Sequence, residues 1–575
     1  MRLHGLLLVL LVATPAAAFA LPAPEDGWAR LSQPGPYGVR APTVHVLESR
    51  IDGADIQVGV VRPATPPHVK VPILVRASPY LPDLTPESMR NEFEYAMRAQ
   101  FVPHGYALAY IATRGSGGSG GCGELMSPRE RDDISQAITW LAKRPWSNGN
   151  VGVVGISYDG TTAWMAAASG NPHVKTIVPV SSFADAWGDY HRNGTSGYGA
   201  HVNNDGNFYW GFGFAYETPF FAPNTGRSLE QRIDGAACEE YVEGALANVE
   251  NAEDGRRSAY FEERDHRADV LARYRGSVLL VHGLEDARVS PRLGVPLGWA
   301  LEERGVEMKW LLGQWGHAFP DVAPGGPPAT APAHDHSRRD WADLQLAWYE
   351  RHLKGRADVD TGPRVEVQDS LGRWRGEEAW PPRDATTLRL TLASDGRLGP
   401  AGTPEVDVLV GQPGGDRFVE KTFNIPRESI LAACATCPTF VSAPFEREMI
   451  VAGAPRVPLT LVPHADRGTL AVWTFVEKGG ALTRMGYDGP GAMDLRYHTG
   501  GETATAITPG EPILARVWMD PADSVVPAGG RIVLVVTTEG WEGPTRALPF
   551  SLRTGGDASA LELDVVPAEG RAPGG

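Results

Sequence analysis

Cysteine is scarce in this chain, with 4 among 575 residues. That count excludes a disulfide-built scaffold, and the lone Cys434-Ala435-Thr436-Cys437 lacks the second ligand pair a zinc site needs. Long apolar runs are also missing. After the first twenty residues, no stretch approaches the ~20 apolar residues that a membrane-crossing helix requires. Basic surplus is absent: 53 Lys and Arg face 69 Asp and Glu, a formal charge of −16, and no Lys/Arg run stands out. Nucleic acid and anionic membranes are thereby excluded as expected partners, whereas cationic substrates such as peptide N-termini suit the acidity. No internal repeat is visible. Charged residues at 21% and hydrophobic residues at 42% give an ordinary globular balance. The length exceeds what one core can serve, so about three units are expected.

The first twenty residues read as a targeting segment. Arg2 supplies the positive end, Leu6 to Val12 the short apolar core, and Ala18-Phe19-Ala20 a small-x-small cleavage site before Leu21. A protein exported to the periplasm or the extracellular space is expected, and its net charge without Arg2 becomes −17. Four cysteines can all pair in such an oxidising compartment. Cys434 with Cys437 closes a tight loop and leaves Cys122 with Cys238, although three pairings are formally open.

What is present points to acyl transfer. The apolar run Val151-Gly152-Val153-Val154 leads into Gly155-Ile156-Ser157-Tyr158-Asp159-Gly160, and the helix-forming Thr161 to Ala168 follows. A serine between glycines at a strand-to-helix turn reads as a nucleophile elbow, which lifts the hydroxyl out of the sheet. The same turn sets the Tyr158 N–H at a helix N-terminus, suited to an oxyanion. Two later strands end in chemistry-bearing residues. Ser277 to Gly283 runs into Leu284-Glu285-Asp286, and Met308 to Leu312 runs into Gly313-Gln314-Trp315-Gly316-His317. The order serine, acid, histidine is that of α/β-hydrolases, whose chemistry gathers beyond the carboxyl ends of strands. Ser157 is expected to attack, His317 to carry the proton and Asp286 to support the imidazolium. Glu285 is an adjacent rival acid, and His282 and His334 are rival histidines.

These segments resemble the X-prolyl dipeptidyl aminopeptidase family of serine peptidases and the related cocaine-esterase-like and α-amino-acid ester hydrolases. In that family the serine lies in G-x-S-Y-x-G, so Asp159 before Gly160 is ordinary. The resemblance also implies a tyrosine hydroxyl in the oxyanion hole, from an S-P-Y segment. Here Ser78-Pro79-Tyr80 follows the strand Ile73 to Ala77, so Tyr80 takes that role. Arg114-Gly115-Ser116-Gly117-Gly118-Ser119-Gly120-Gly121 resembles the family's R-G-x-G-x-S-x-G loop beside the site. No G-K-[ST] follows it, so it is no phosphate cradle. An aspartate usually precedes that arginine, but Ala112-Thr113 stand there instead. The resemblance spans roughly residues 40 to 555.

An α/β fold is expected: an α/β-hydrolase core, mostly parallel with helices on both faces, over residues 40–182 and 273–358. Between them, 183–272 reads as a mainly helical cap insertion with an aromatic cluster from Phe208 to Phe221. Trp341 to Lys354 reads as an amphipathic helix with Leu344, Leu346, Trp348 and Leu353 inward. Residues 362–562 turn to short alternating runs, a β-sandwich, and the resemblance implies a jelly roll. Residues 567–575 read as a disordered tail.

Release of dipeptides from a free N-terminus requires carboxylates for the α-ammonium and an apolar slot for proline. Asp185, Asp189, Asp205 and Glu217 are candidates for the amine, and the cap aromatics with Trp315 and Tyr158 for the ring. No cofactor or metal is implied. The expected substrate is a small peptide, and an acyl ester is the alternative on the same residues.

Overall fold

The computed structural model describes residues 35–89, 101–195, 256–286, 288–321, 338–410, 437–486, 491–538 and 548–571. The expected leader, most of the cap with Asp205 and Glu217, His334, Cys238, Cys434 and the last four residues lie outside the described residues.

Ten strands make the first sheet. They are β1 (Thr43–Glu48), β2 (Asp55–Val61), β3 (Val71–Ser78), β4 (Ala107–Ala112) and β5 (Ser147–Ile156). The rest are β6 (Val174–Val180), β7 (Ser277–Gly283), β8 (Met308–Gly313), β9 (Val365–Gln368) and β10 (Trp374–Glu377). Their spatial order is β1-β2-β4-β3-β5-β6-β7-β8-β9-β10. From β4 through β9 every neighbouring pair is parallel. The α-helices among the described residues are α1 (Pro128–Ala142), α2 (Tyr158–Ala168), α3 (Ala186–Tyr190), α4 (Ala259–Glu262), α5 (Arg267–Arg273), α6 (Pro291–Glu303) and α7 (Trp341–Lys354).

The central strands are continuous apolar runs because both faces are covered. All residues of β4, β7 and β8 are buried. Alternate side chains serve opposite cores: Ile73 and Val75 pack with α1 and α2, whereas Leu74 packs with Trp348 and Leu353 of α7. As the sequence pattern indicates, Leu344, Trp348 and Leu353 are buried, and Leu346 is partly so.

The second domain is an antiparallel-rich β structure. Its strand Arg456–Pro463 alternates between part-exposed and fully buried residues, with Val457, Leu459 and Leu461 in the core. One boundary differs from the sequence reading. The change of texture at 362 suggests the sandwich starts there, yet β9 pairs onto β8 and β10 onto β9, so both extend the first sheet. Short strands at a sheet's edge carry the same alternating signature as sandwich strands, which explains the shift. Among the described residues, no helix is long and apolar enough to cross a membrane.

Candidate active site

Ser157 joins β5 to α2 with φ 61° and ψ −129°. A non-glycine residue at positive φ is strained, and the surroundings must hold it there. The flanking glycines explain how. A Cβ on Gly155 would lie 2.4 Å from Cβ of Asp159, and one on Gly160 would lie 2.6 Å from Cβ of Ser182. Only with both side chains absent can the helix start against the strand it has just left. The Ser157 N–H donates to Val180 of β6 (3.0 Å), and its carbonyl accepts from Gly160 and Thr161. Tyr158 is the first helical residue, so its N–H stands at the helix N-terminus. Its phenol points elsewhere: it donates to Glu130 Oε2 (2.7 Å), and the Met126 N–H reaches both Glu130 Oε2 (2.8 Å) and the phenol oxygen (2.6 Å). Burial pushes the Glu130 carboxyl up to about 7, against these hydrogen bonds. Asp159 is buried and accepts from Arg76 Nε of β3 at 2.5 Å, which ties the turn to the neighbouring strand.

Asp286 and His317 are brought together beyond the ends of the adjacent parallel strands β7 and β8. His317 Nδ1 lies 2.8 Å from Asp286 Oδ2. Asp286 is fully buried, and its other oxygen accepts the N–H groups of Arg288 (2.9 Å) and Val289 (3.0 Å). Burial alone would raise its pKa. The imidazole charge of His317, the hydrogen bond to it and the Val289 N–H outweigh that and hold the carboxylate below its ordinary range. The rival His282 is also fully buried, with Nε2 on the Val289 carbonyl (2.8 Å) and 3.9 Å from Asp286. Burial lowers its pKa, so it stays neutral and braces the loop. Among the described residues, the Ser157 hydroxyl makes no hydrogen bond to His317, and such bonds often tighten only around substrate.

Tyr80 follows β3, the strand paired in parallel with β5, so topology sets it at the same sheet edge as Ser157. Its N–H donates to Ser78 Oγ (3.1 Å). The glycine loop that follows β4 is anchored without the missing aspartate. Buried Arg114 reaches Asp133 (2.9 Å), Asp52 (3.0 Å) and Glu124 (3.3 Å). Gly115 has φ 73°, and a Cβ there would lie 2.2 Å from the Gly123 nitrogen, so the loop closes only with glycine.

The candidate substrate carboxylates occupy defined places. Asp185 caps α3, accepting from Trp187 (3.2 Å) and Gly188 (3.1 Å), and lies 3.3 Å from Arg267. Burial raises its pKa to about 6. Asp189 lies on α3, part-buried. Trp315 is 1% exposed, and its ring occupies the space over Gly283 and Gly313 and packs near Trp374. Cys122 and Cys437 are both disulfide-bonded.

Comparison with known proteins divides the chain into two parts, the second of which reaches back over β9 and β10. Residues 52–319 match the X-Pro dipeptidyl-peptidase (S15 family) model, and 357–559 match the X-Pro dipeptidyl-peptidase C-terminal non-catalytic domain. Both parts of the chain thus match models of X-Pro dipeptidyl-peptidases, and the chain is a serine hydrolase similar to that family. A Streptomyces avermitilis relative, provisionally named an Xaa-Pro dipeptidyl-peptidase, is 26% identical over 91% of this chain and 83% of its own. Among solved structures, an α-amino acid ester hydrolase aligns with TM-score 0.69 at 19% identity, covering 92% of this chain and 97% of its own. An aminopeptidase from a marine sediment archaeon, Thaumarchaeota archaeon, gives 0.68 at 18% identity, over 92% and 97%. These two likenesses concern fold.

The residues that brace the site carry little signal in the sequence. Glu130 was legible in part: Ser127-Pro128-Arg129-Glu130 is a capping-box pattern, and Ser127 Oγ indeed accepts the Glu130 N–H at 3.1 Å. Its second task, receiving the Tyr158 phenol, leaves no trace in spacing. The Arg76–Asp159 pair and the carboxylates around Arg114 are likewise far apart in sequence.

Proposed function

We propose that this chain is an exported serine exopeptidase that releases Xaa-Pro dipeptides from peptide N-termini through an acyl-enzyme on Ser157. The observation that carries the reading is the 2.8 Å hydrogen bond between His317 Nδ1 and buried Asp286, beyond the same carboxyl ends of the parallel strands as a serine held at positive φ. With Nδ1–H committed to Asp286, Nε2 is the basic nitrogen and takes the Ser157 proton as Oγ bonds to the scissile carbonyl carbon. The Tyr158 N–H and the Tyr80 hydroxyl receive the oxyanion; one such donor contributes about 3–4 kcal/mol to the barrier. The imidazolium returns the proton to the leaving amine as the C–N bond breaks, and water then hydrolyses the ester by the same route. Asp185 and Asp189 on α3, with Asp205, are the candidates for the α-ammonium, and Trp315 backs the His317 loop. Export is supported by the Arg2, Leu6–Val12, Ala18-Phe19-Ala20 pattern and by the disulfide-bonded Cys122 and Cys437, since reducing compartments keep thiols free.

The test is turnover of Ala-Pro and Gly-Pro p-nitroanilides beside p-nitrophenyl acetate and butyrate, with N-acetyl-Ala-Pro anilide and Ser157→Ala as controls. Fast release from free-amine prolyl anilides that disappears on acetylation and in Ser157→Ala is expected. Turnover of esters alone supports instead the second reading, an esterase or acylase on the same residues. Activity surviving Ser157→Ala removes both.

A further inference from the structure

The acid and the histidine sit on two loops, Asp286 to Ser290 and Gly313 to His317, and the second domain grips both. Ser290 caps α6 by accepting the Arg292 N–H (3.3 Å), and its hydroxyl donates to Asp520 Oδ1 at 2.8 Å across 230 residues of chain. Ser290 and Asp520 are both buried. The residue before Ser290 is Val289, whose N–H binds Asp286 and whose carbonyl binds His282. The Asp520 charge also acts on His282. In the histidine loop, Gln314 Nε2 donates to the Gln368 carbonyl (2.8 Å) and, at 3.4 Å, to the Asp523 carbonyl. The Asp523 carboxylate in turn takes both terminal nitrogens of Arg375 (2.7 and 2.6 Å) and the Trp380 indole (2.9 Å). A polar seam thus runs from Asp520, just before the sandwich strand Ala522–Val526, and from Asp523 within it to the two loops.

We propose that Asp520 is a positioning residue for catalysis: through Ser290 it sets the loop that presents Asp286 to His317, so the β-sandwich is a working part of the active site. The inference rests on Asp286 and His317 being the acid–base pair. A loop held only at Asp286 can drift at its far end. Drift of the order of 1 Å at a reacting group costs up to about 100-fold in rate.

The full chain is assayed at 25 °C on whichever chromogenic substrate the wild type turns over. The variants are Asp520→Asn, Ser290→Ala, their double, Ser290→Thr and Ser157→Ala, with thermal unfolding to verify folding at the assay temperature. Expected is a fall of about tenfold in kcat for each single variant, with KM within about twofold. The double should be no worse than the poorer single, because both cut one link. Ser290→Thr keeps the hydroxyl and should restore kcat to within about threefold. Wild-type kcat in folded Asp520→Asn and Ser290→Ala, or losses that multiply, overturns the proposal and leaves a domain-docking contact. If Asp520→Asn does not fold, the Ser290→Ala and Ser290→Thr pair decides. Activity in Ser157→Ala removes the reading of the site, and this inference with it, whereas a silent Ser157→Ala with an unaffected Asp520→Asn removes the inference alone.

Discussion

The two sheets of this molecule use charge in opposite ways. In the first, carboxylates and guanidinia are buried and shape the loops: Arg114 among Asp52, Glu124 and Asp133, Arg76 against Asp159, Asp286 under His317. On the outer face of the second, pairs such as Arg389–Asp557 and Arg553–Asp407 lie largely in solvent. Hydrogen-bond lengths hardly distinguish the two sets, at 2.9 Å for both Arg114–Asp133 and Arg389–Asp557. Burial does. A buried charge left without its partner is costly, whereas an exposed pair gains little over two hydrated ions. Distance alone is therefore a poor guide to which contacts matter, and the comparison can be pressed from both sides.

The largest effect is expected where burial and catalysis coincide. Asp286→Asn should lower kcat by about 10³-fold or more while changing KM little, because the amide orients the imidazole wrongly and cannot support its positive charge. An unchanged rate would transfer the role to Glu285. Next comes a matched pair across the domains, read by urea denaturation. Asp523→Ala leaves both terminal nitrogens of buried Arg375 and the Trp380 indole without their acceptor, with only Glu377 remaining on Nε, and should cost about 3 kcal/mol, whereas Asp557→Ala should cost under about 1 kcal/mol. Equal losses would dissolve the contrast. Glycines offer a third comparison. Gly155→Ala drives a methyl into the Asp159 backbone and should cost about 3 kcal/mol or more. Gly399→Ala meets no atom within 4 Å at ordinary φ, so it should be neutral or slightly stabilising.

The same contrast explains what the sequence disclosed. Strands buried on both faces declare themselves as apolar runs, and their ends carry Ser157, Asp286 and His317 at positions that chain order alone makes legible. Helix α7 was readable to the residue because its apolar period is 3.6. What supports those residues was not readable. Arg76 and Asp159 are 83 residues apart, Ser290 and Asp520 are 230, and each looks alone like a solvated polar side chain. Cross-domain pairing has no period, so only the fold reveals it. Asp185 shows the converse, because an acid before a short helix fits equally well as a cap or as a ligand for an amine.

The smallest prediction concerns sign rather than size. Burial lifts the folded Glu130 carboxyl to about 7 from an ordinary 4.5, so between those values the folded chain keeps a proton that the unfolded chain releases. Its stabilisation is complete below pH 4.5 and is lost as pH rises through 7, on the order of 3 kcal/mol at most. Glu130→Gln abolishes this dependence, so the stability difference between wild type and variant should fall steadily over that window. His266, held down to about 4 by burial, contributes the opposite slope between pH 6.5 and 4, but it does so in both proteins and cancels. On the sandwich, the Arg456 hydrogen bond holds Asp564 below its usual 3.8. Asp564→Asn should therefore change the profile only as pH falls below that value, where the wild type loses the pair. A flat difference for Glu130→Gln would mean that Tyr158 and Met126 keep the carboxylate ionised in the fold, and that this buried site is electrostatically closer to the surface of the second domain than its burial implies.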